Sequence, residues 1–459
     1  MALSVIPASV GAQALPPDPV PTSENLRSLG RLAEGVGAIS LQFSSDTPHM
    51  YLSTLKGIQI YDISDPKAPQ FVSAEPLPHY QNEAMSLGER KNGDKFLLIA
   101  SNQAGVALNG DATATNRFIW VMDVTDPANP EVVSSLATDS RTHTVSCLTK
   151  SCEYAYSDGR TQGFISIIDL RDLMNPKMAG TYESVVPQGH DQDLDAAGLL
   201  WHVGGQGAVA LDVSKPTKPV PLNSTNPAGV GNADRENSPY NNFILHNSAR
   251  PNAKNFKAGT APNLKNGNIL LATEEDTGSV CGPDLGGFST WHIPFLDAAK
   301  YKKTNPKLAA GGGTIAPLDM WYPEDVAVGH ACSAHYFDYS ETGLVTQGWY
   351  ELGTRILDVR DPNNIKQIGF FFGRDMETWA SYWVPARDAK GKVTGKDTNI
   401  IYSADVSRGV DILEFTPLGK SAKETRAVVA PTFELPTPFA LGVTPSKRYG
   451  YLCRIASRL

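Results

Sequence analysis

Four of the nine histidines in this chain share a register with a repeated acidic residue. His143 stands 26 residues ahead of Asp169, His190 22 ahead of Asp212, and His335 23 ahead of Asp358. His246 heads the run His246-Asn247-Ser248-Ala249 at the matching place of another segment, and Glu83 and Trp379 take that place in two more. Imidazole nitrogens and a carboxylate are donors that suit copper, iron or zinc. Placed at equivalent positions of repeats around one axis, His143, His190, His246, His335 and Glu83 would meet in a single metal site. The structural alternative is that a histidine opening a strand caps a turn or bonds the backbone of its neighbour. Sequence alone leaves both open.

Other candidate groups are read differently. His330, Cys332 and His335 have the composition of a metal trio, yet Cys332 is preferred as a disulfide partner of Cys281. Cys147 and Cys152 bracket a four-residue hairpin loop, which sets them across two strands at a separation that a disulfide can close. Cys453 is left over, and two bridges would favour an oxidising compartment. Asp191, Asp193 and Asp195 share one strand face at period two. A calcium loop would need glycine where Ala196 stands and a closing glutamate, so these acids are expected to line a channel or accept neighbouring amide N–H groups. No G-x-S-x-G elbow, phosphate loop or dinucleotide fingerprint occurs, so no activated nucleophile and no nucleotide cofactor are expected. Asn223-Ser224-Thr225 is a glycosylation sequon.

The elements that must position these groups are strands. Gly57-Ile58-Gln59-Ile60-Tyr61-Asp62-Ile63-Ser64-Asp65-Pro66 alternates apolar residues suited to a pleated surface and stops at Asp65-Pro66. It recurs at Arg117 to Pro127, Gly163 to Asp172, Gly207 to Pro216 and Gly353 to Pro362. Worn copies stand at Gly409 to Pro417 and Gly286 to Pro294, making seven. The acidic markers Asp62, Asp123, Asp169, Asp212, Asp358 and Glu414 lie 61, 46, 43, 146 and 56 residues apart, the long gap spanning two units. A strand-built period of that size is the mark of a propeller, one four-stranded blade per unit. The five aspartates each precede a turn whose N–H groups a carboxylate can accept, and they read as structural.

The tract G-x-x-I-x-D-V-S-D-P-x-x-P resembles the LVIVD-repeat proteins, predicted bacterial extracytoplasmic β-propellers, over about residues 25 to 417. The resemblance implies architecture and export and names no reaction. In kind, the histidines also resemble the four-histidine iron site of carotenoid cleavage oxygenases and the histidine-lined copper site of methanethiol oxidases. None of the motifs around those sites is present here.

The expected fold is therefore all-β: a seven-bladed β-propeller over 25–417, with a large insertion at about 222–330 in blade five. Leu26 to Leu32 is expected to close the ring by strand exchange with the last blade, which removes an open edge. Residues 1–24 read as a signal-peptide remnant or disordered leader, because Ala12-Gln13-Ala14 has the form of a cleavage site. Residues 418–459 read as an extended strap. A formal charge of −8 offers no basic stripe for nucleic acid, and no apolar run is long enough to span a membrane. The sequence thus leads to a monomeric, secreted, periplasmic or cell-surface binding module for a protein, glycan or small-molecule ligand. Its competitor is a copper, iron or zinc enzyme of the oxidoreductase class.

Overall fold

A computed structural model describes residues 22–35, 37–76, 83–102, 117–138, 142–158, 164–205, 207–226, 244–275, 286–309, 311–323, 333–372 and 376–417. Residues 1–21 of the leader, the strap, His330, Cys281, Cys332 and Cys453 fall outside these residues.

The described chain is an all-β propeller arrangement of antiparallel sheets. The first sheet runs Ala38–Phe43, His49–Thr54, Gly57–Asp62, Gln70–Pro76, and four more four-stranded sheets follow in chain order. The second starts at Met85–Glu89, the third at Thr144–Cys147, the fourth at Gly189–Leu194 and the fifth at Ile244–Ala249. The rest forms one eight-stranded sheet. In it Ala334–Tyr339 meets Thr378–Arg387 in parallel through the single pair Tyr336↔Ala380. The expected seven separate blades therefore appear as six sheets, because two inner strands approach closely enough to bond. Leu26–Leu32 pairs antiparallel with Gly409–Phe415, as the strand-exchange expectation required.

Alternate residues of single strands show how the sheets stack. In Lys95–Asn102, Leu97 and Ile99 pack with Tyr51, Ile58 and Ile60 of the first sheet. Phe96, Leu98 and Ala100 pack with Val145, Ala155 and Ile168 of the third. Each middle strand is thus buried on both faces and reads as a continuous apolar run rather than an alternation. Similar clusters join Leu200 to Ile165 and Ile167, Trp201 to Leu270 and Trp291, and Leu271 to Val345 and Leu357. Ile356 then meets Ile401 and Leu413, and Tyr402 and Val410 meet Met50 and Leu52, which returns the packing to the first sheet. At about 1.5–3 kcal/mol per buried aliphatic or aromatic side chain, this continuous layer is the main stabilising term.

Local chemistry explains the repeat. Its leading glycine has φ of 127° at Gly57, 126° at Gly207 and 97° at Gly409, a region that other residues rarely occupy. Asp62 accepts the N–H of Ser64 at 2.7 Å, and Asp123, Asp169, Asp212 and Asp358 each accept the N–H two residues on at 2.8–3.1 Å. The insertion contains the helix Ala298–Thr304, capped by Asp297, and the strand Ala316–Trp321. The helix had no legible period because it is only two turns long. No helix among the described residues is long and apolar enough to cross a membrane.

Candidate metal centre and central channel

The inner strands of the fourth and fifth sheets carry His190 and His246, Ala334–Tyr339 carries His335, and His143 stands one residue ahead of the third sheet's inner strand. Glu83 enters just ahead of Met85–Glu89. All five side chains are buried, at 0–1% exposure.

The Glu83 carboxylate lies between two histidine pairs. Its Oε1 is 2.9 Å from His335 Nε2 and 3.7 Å from His246 Nε2. Its Oε2 touches His143 Nε2 and is 3.4 Å from His190 Nε2. His143 Nε2 and His190 Nε2 are 2.9 Å apart. Donors bound at about 2.0–2.1 Å stand ~2.9 Å apart at right angles and ~3.4 Å apart at tetrahedral angles, so these separations suit neighbours on one ion. Donor sets that converge within 4.8 Å are Glu83/His143/His190, Glu83/His246/His335 and His190/His246/Glu275.

The orientation of two rings follows from their other nitrogens. His190 Nδ1 donates to the His246 carbonyl at 2.9 Å, and His335 Nδ1 donates to the Trp379 carbonyl at 2.7 Å. A carbonyl only accepts, so Nδ1 carries the proton in each ring, and Nε2 presents its lone pair when the ring is neutral. Both Nε2 atoms then face carboxylate oxygens, an arrangement that needs a cation between them, either a proton or a metal. Trp379 supplies that carbonyl and packs its ring, tilted by 55°, against His335 with centroids 4.6 Å apart, so its place in the register is filled by a support rather than a ligand.

Charge is concentrated here. Burial alone would raise the Glu83 carboxyl, but His143 and His190 hold it well below the usual carboxylate range. Burial, reinforced by His335, pushes His246 down to about 4, so its imidazole is neutral at physiological pH.

Two residues escaped the sequence reading. Glu275 sets Oε2 3.8 Å from His190 Nε2, and its Oε1 accepts the Tyr350 hydroxyl at 2.7 Å. It lies at the far end of a second strand, outside the register that marked the histidines. His202 bonds Asp158 at 2.9 Å and Ser184 Oγ at 2.7 Å, a Ser-His-Asp chain where no activated nucleophile was expected. Ser184 Oγ also accepts the N–H of Val186 at 3.1 Å, and the Asp contacts the ring nitrogen distal to the serine. That arrangement ties a loop to two sheets.

The Cys147–Cys152 disulfide forms as expected, with Cα atoms 4.9 Å apart. Asn223 is fully buried and donates to the Phe295 carbonyl at 2.9 Å, so the sequon is not an acceptor in the folded chain. Asp191, Asp193 and Asp195 line a central cavity of about 510 Å³ that runs to Glu83. Asp193 accepts the N–H of Ser248 at 2.9 Å, and Asp195 pairs with Arg250 at 2.8 Å, so both expectations for this acid stripe hold.

No known family model and no curated protein matches the chain. Among solved structures it resembles the β-propeller domain of Cps50 (Swd1) from Myceliophteria thermophila. The two share 11% identity at a TM-score of 0.48, over 83% of this chain and 98% of that one. That likeness bears on neither partner nor activity.

Proposed function

We propose that the chain is a seven-bladed propeller whose histidine ring holds a transition-metal ion, copper, iron or zinc, and acts on a small molecule admitted through the central cavity. A redox metal would make it an oxidoreductase. The observation that carries this reading is the convergence of four buried imidazoles on Glu83, with two Nε2 lone pairs turned toward its oxygens. His143, His190, His246 and His335 would be ligands, with Glu83 beside them. Because each Glu83 oxygen faces a different pair, the ring suits one ion or two ions bridged by the carboxylate.

The seven-blade count treats the eight-stranded sheet as two blades meeting at Tyr336↔Ala380; the separate clusters on either side of each half support it. Kinship with the LVIVD-repeat proteins and an exported, monomeric life are part of the same reading. The repeated Asp turns support the kinship, and the Cys147–Cys152 bridge supports export.

Elemental analysis of the purified, untagged chain beside a His190→Ala/His335→Ala variant tests the centre. One or two equivalents of metal in the parent and none in the variant are expected. A metal-free parent, after growth with copper, iron and zinc supplied, overturns it. The second reading, a binding module whose ligand sits in the cavity, would then stand alone, favoured by the cavity itself.

A further inference from the structure

The central cavity has a chemistry of its own. Its walls carry Asp191, Asp193, Asp338 and Glu83, and Arg250, the only basic lining residue among the described residues, is already paired with Asp195 at 2.8 Å. Gln192, 1% exposed, also lines the cavity; its amide oxygen meets no hydrogen-bond donor, and its Nε2 donates to Thr144 Oγ1 at 3.4 Å. The remaining demand is thus for donors and positive charge. Tyr336 and Tyr382 add aromatic rings to the lining, a side-chain type that attracts cations.

We infer that the cavity binds a small organic cation, an aliphatic amine, with its ammonium group between Asp193 and Asp338 and its N–H groups directed at Gln192. An inorganic ion suits it less well. The volume of about 510 Å³ is that of a small-molecule pocket, and these aspartates form none of the tight donor sets that converge within 4.8 Å. Burial pushes the Asp193 carboxyl up to about 6 and, with Asp397 near, that of Asp338 up to about 7, which fits carboxylates recessed without a counter-cation. This inference shares the cavity with the proposed metal reading and needs no ion.

The test is calorimetric titration of the full chain, both as purified and after chelation, with 1-aminobutane, 1,4-diaminobutane, 1-butanol and calcium chloride. Both amines are expected to bind the chelated protein, and butanol is not. Asp193→Asn and Asp338→Asn, which keep the backbone N–H contacts of Ser248 and Trp383, should each weaken amine binding about tenfold or more. Gln192→Met, which removes only the long 3.4 Å bond to Thr144 Oγ1, should weaken it several-fold with a nearly unchanged melting temperature. Equal binding of butanol, calcium binding in place of amines, or amine affinity untouched in all three variants overturns the inference. Amine binding confined to the metal-loaded protein also overturns it, while supporting the metal reading. Amine binding to a chain that never holds metal supports it and sinks the metal reading alone.

Discussion

Two rings of repeated residues circle this molecule, and they do opposite work. The outer ring of aspartates is regular in its local motif, each aspartate ending a strand and opening the same turn. Asp62, Asp123, Asp169, Asp212 and Asp358 all accept the N–H two residues ahead. The inner ring is irregular, with offsets of 26, 22 and 23 residues, a glutamate in one position and a tryptophan in another. Yet it is the inner ring that is buried and brought to one point. Regular repetition here marks a local structural need met separately in each unit. Irregular repetition marks positions that answer to one another across units.

Breaking each ring should therefore have different consequences, and the largest belongs to Glu83. Glu83→Ala leaves four imidazoles facing one another without their carboxylate. Loss of bound metal and a destabilisation of about 3–5 kcal/mol are expected, read by elemental analysis and denaturant unfolding. If the variant kept its metal and melted like the parent, Glu83 would have no part in holding the inner ring together. A sharper contrast comes from Gly189→Ala. The added Cβ would lie 2.0 Å from His202 Nε2 and 2.1 Å from Asp158 Oδ2, so about 1–3 kcal/mol should be lost with metal content unchanged. That outcome would class the Ser184-His202-Asp158 chain with the structural groups.

In the outer ring, Asp123→Ala removes one turn bond and should cost about 1 kcal/mol, measured by the same unfolding transition, again with metal retained. A cost equal to that of Glu83→Ala would erase the distinction between the rings. The smallest effect is expected at the worn marker. Lys67 and Arg27 hold Glu414 down to about 2 against an ordinary 4.5. Its contribution is thus present above pH 4.5 and disappears as pH falls toward 2. Glu414→Gln should flatten that part of the acid-unfolding curve and leave neutral stability nearly unchanged, since both partners are largely exposed.

What could be read along the chain was whatever a few neighbouring residues settle together. The strand that ends at Asp62, just before the Asp65-Pro66 turn, the hairpin bridged by Cys147 and Cys152 and the glycine of positive φ at Gly57 each depend on fewer than a dozen residues. The repeat of those local decisions was enough to imply sheets around an axis and the pairing of Leu26–Leu32 with Gly409–Phe415. The histidine register was legible for the same reason, since equivalent places in repeated units point the same way.

Only the tertiary structure decided the rest. Glu83 meets His335 across 252 residues, and Glu275 joins from outside the register, because closing the ring sets side chains together whose sequence distance carries no signal. The fusion of two inner strands at Tyr336↔Ala380 and the Ser184-His202-Asp158 chain likewise depend on how neighbouring sheets lean together. Local propensity shaped each strand, and packing between sheets chose which polar groups were buried face to face.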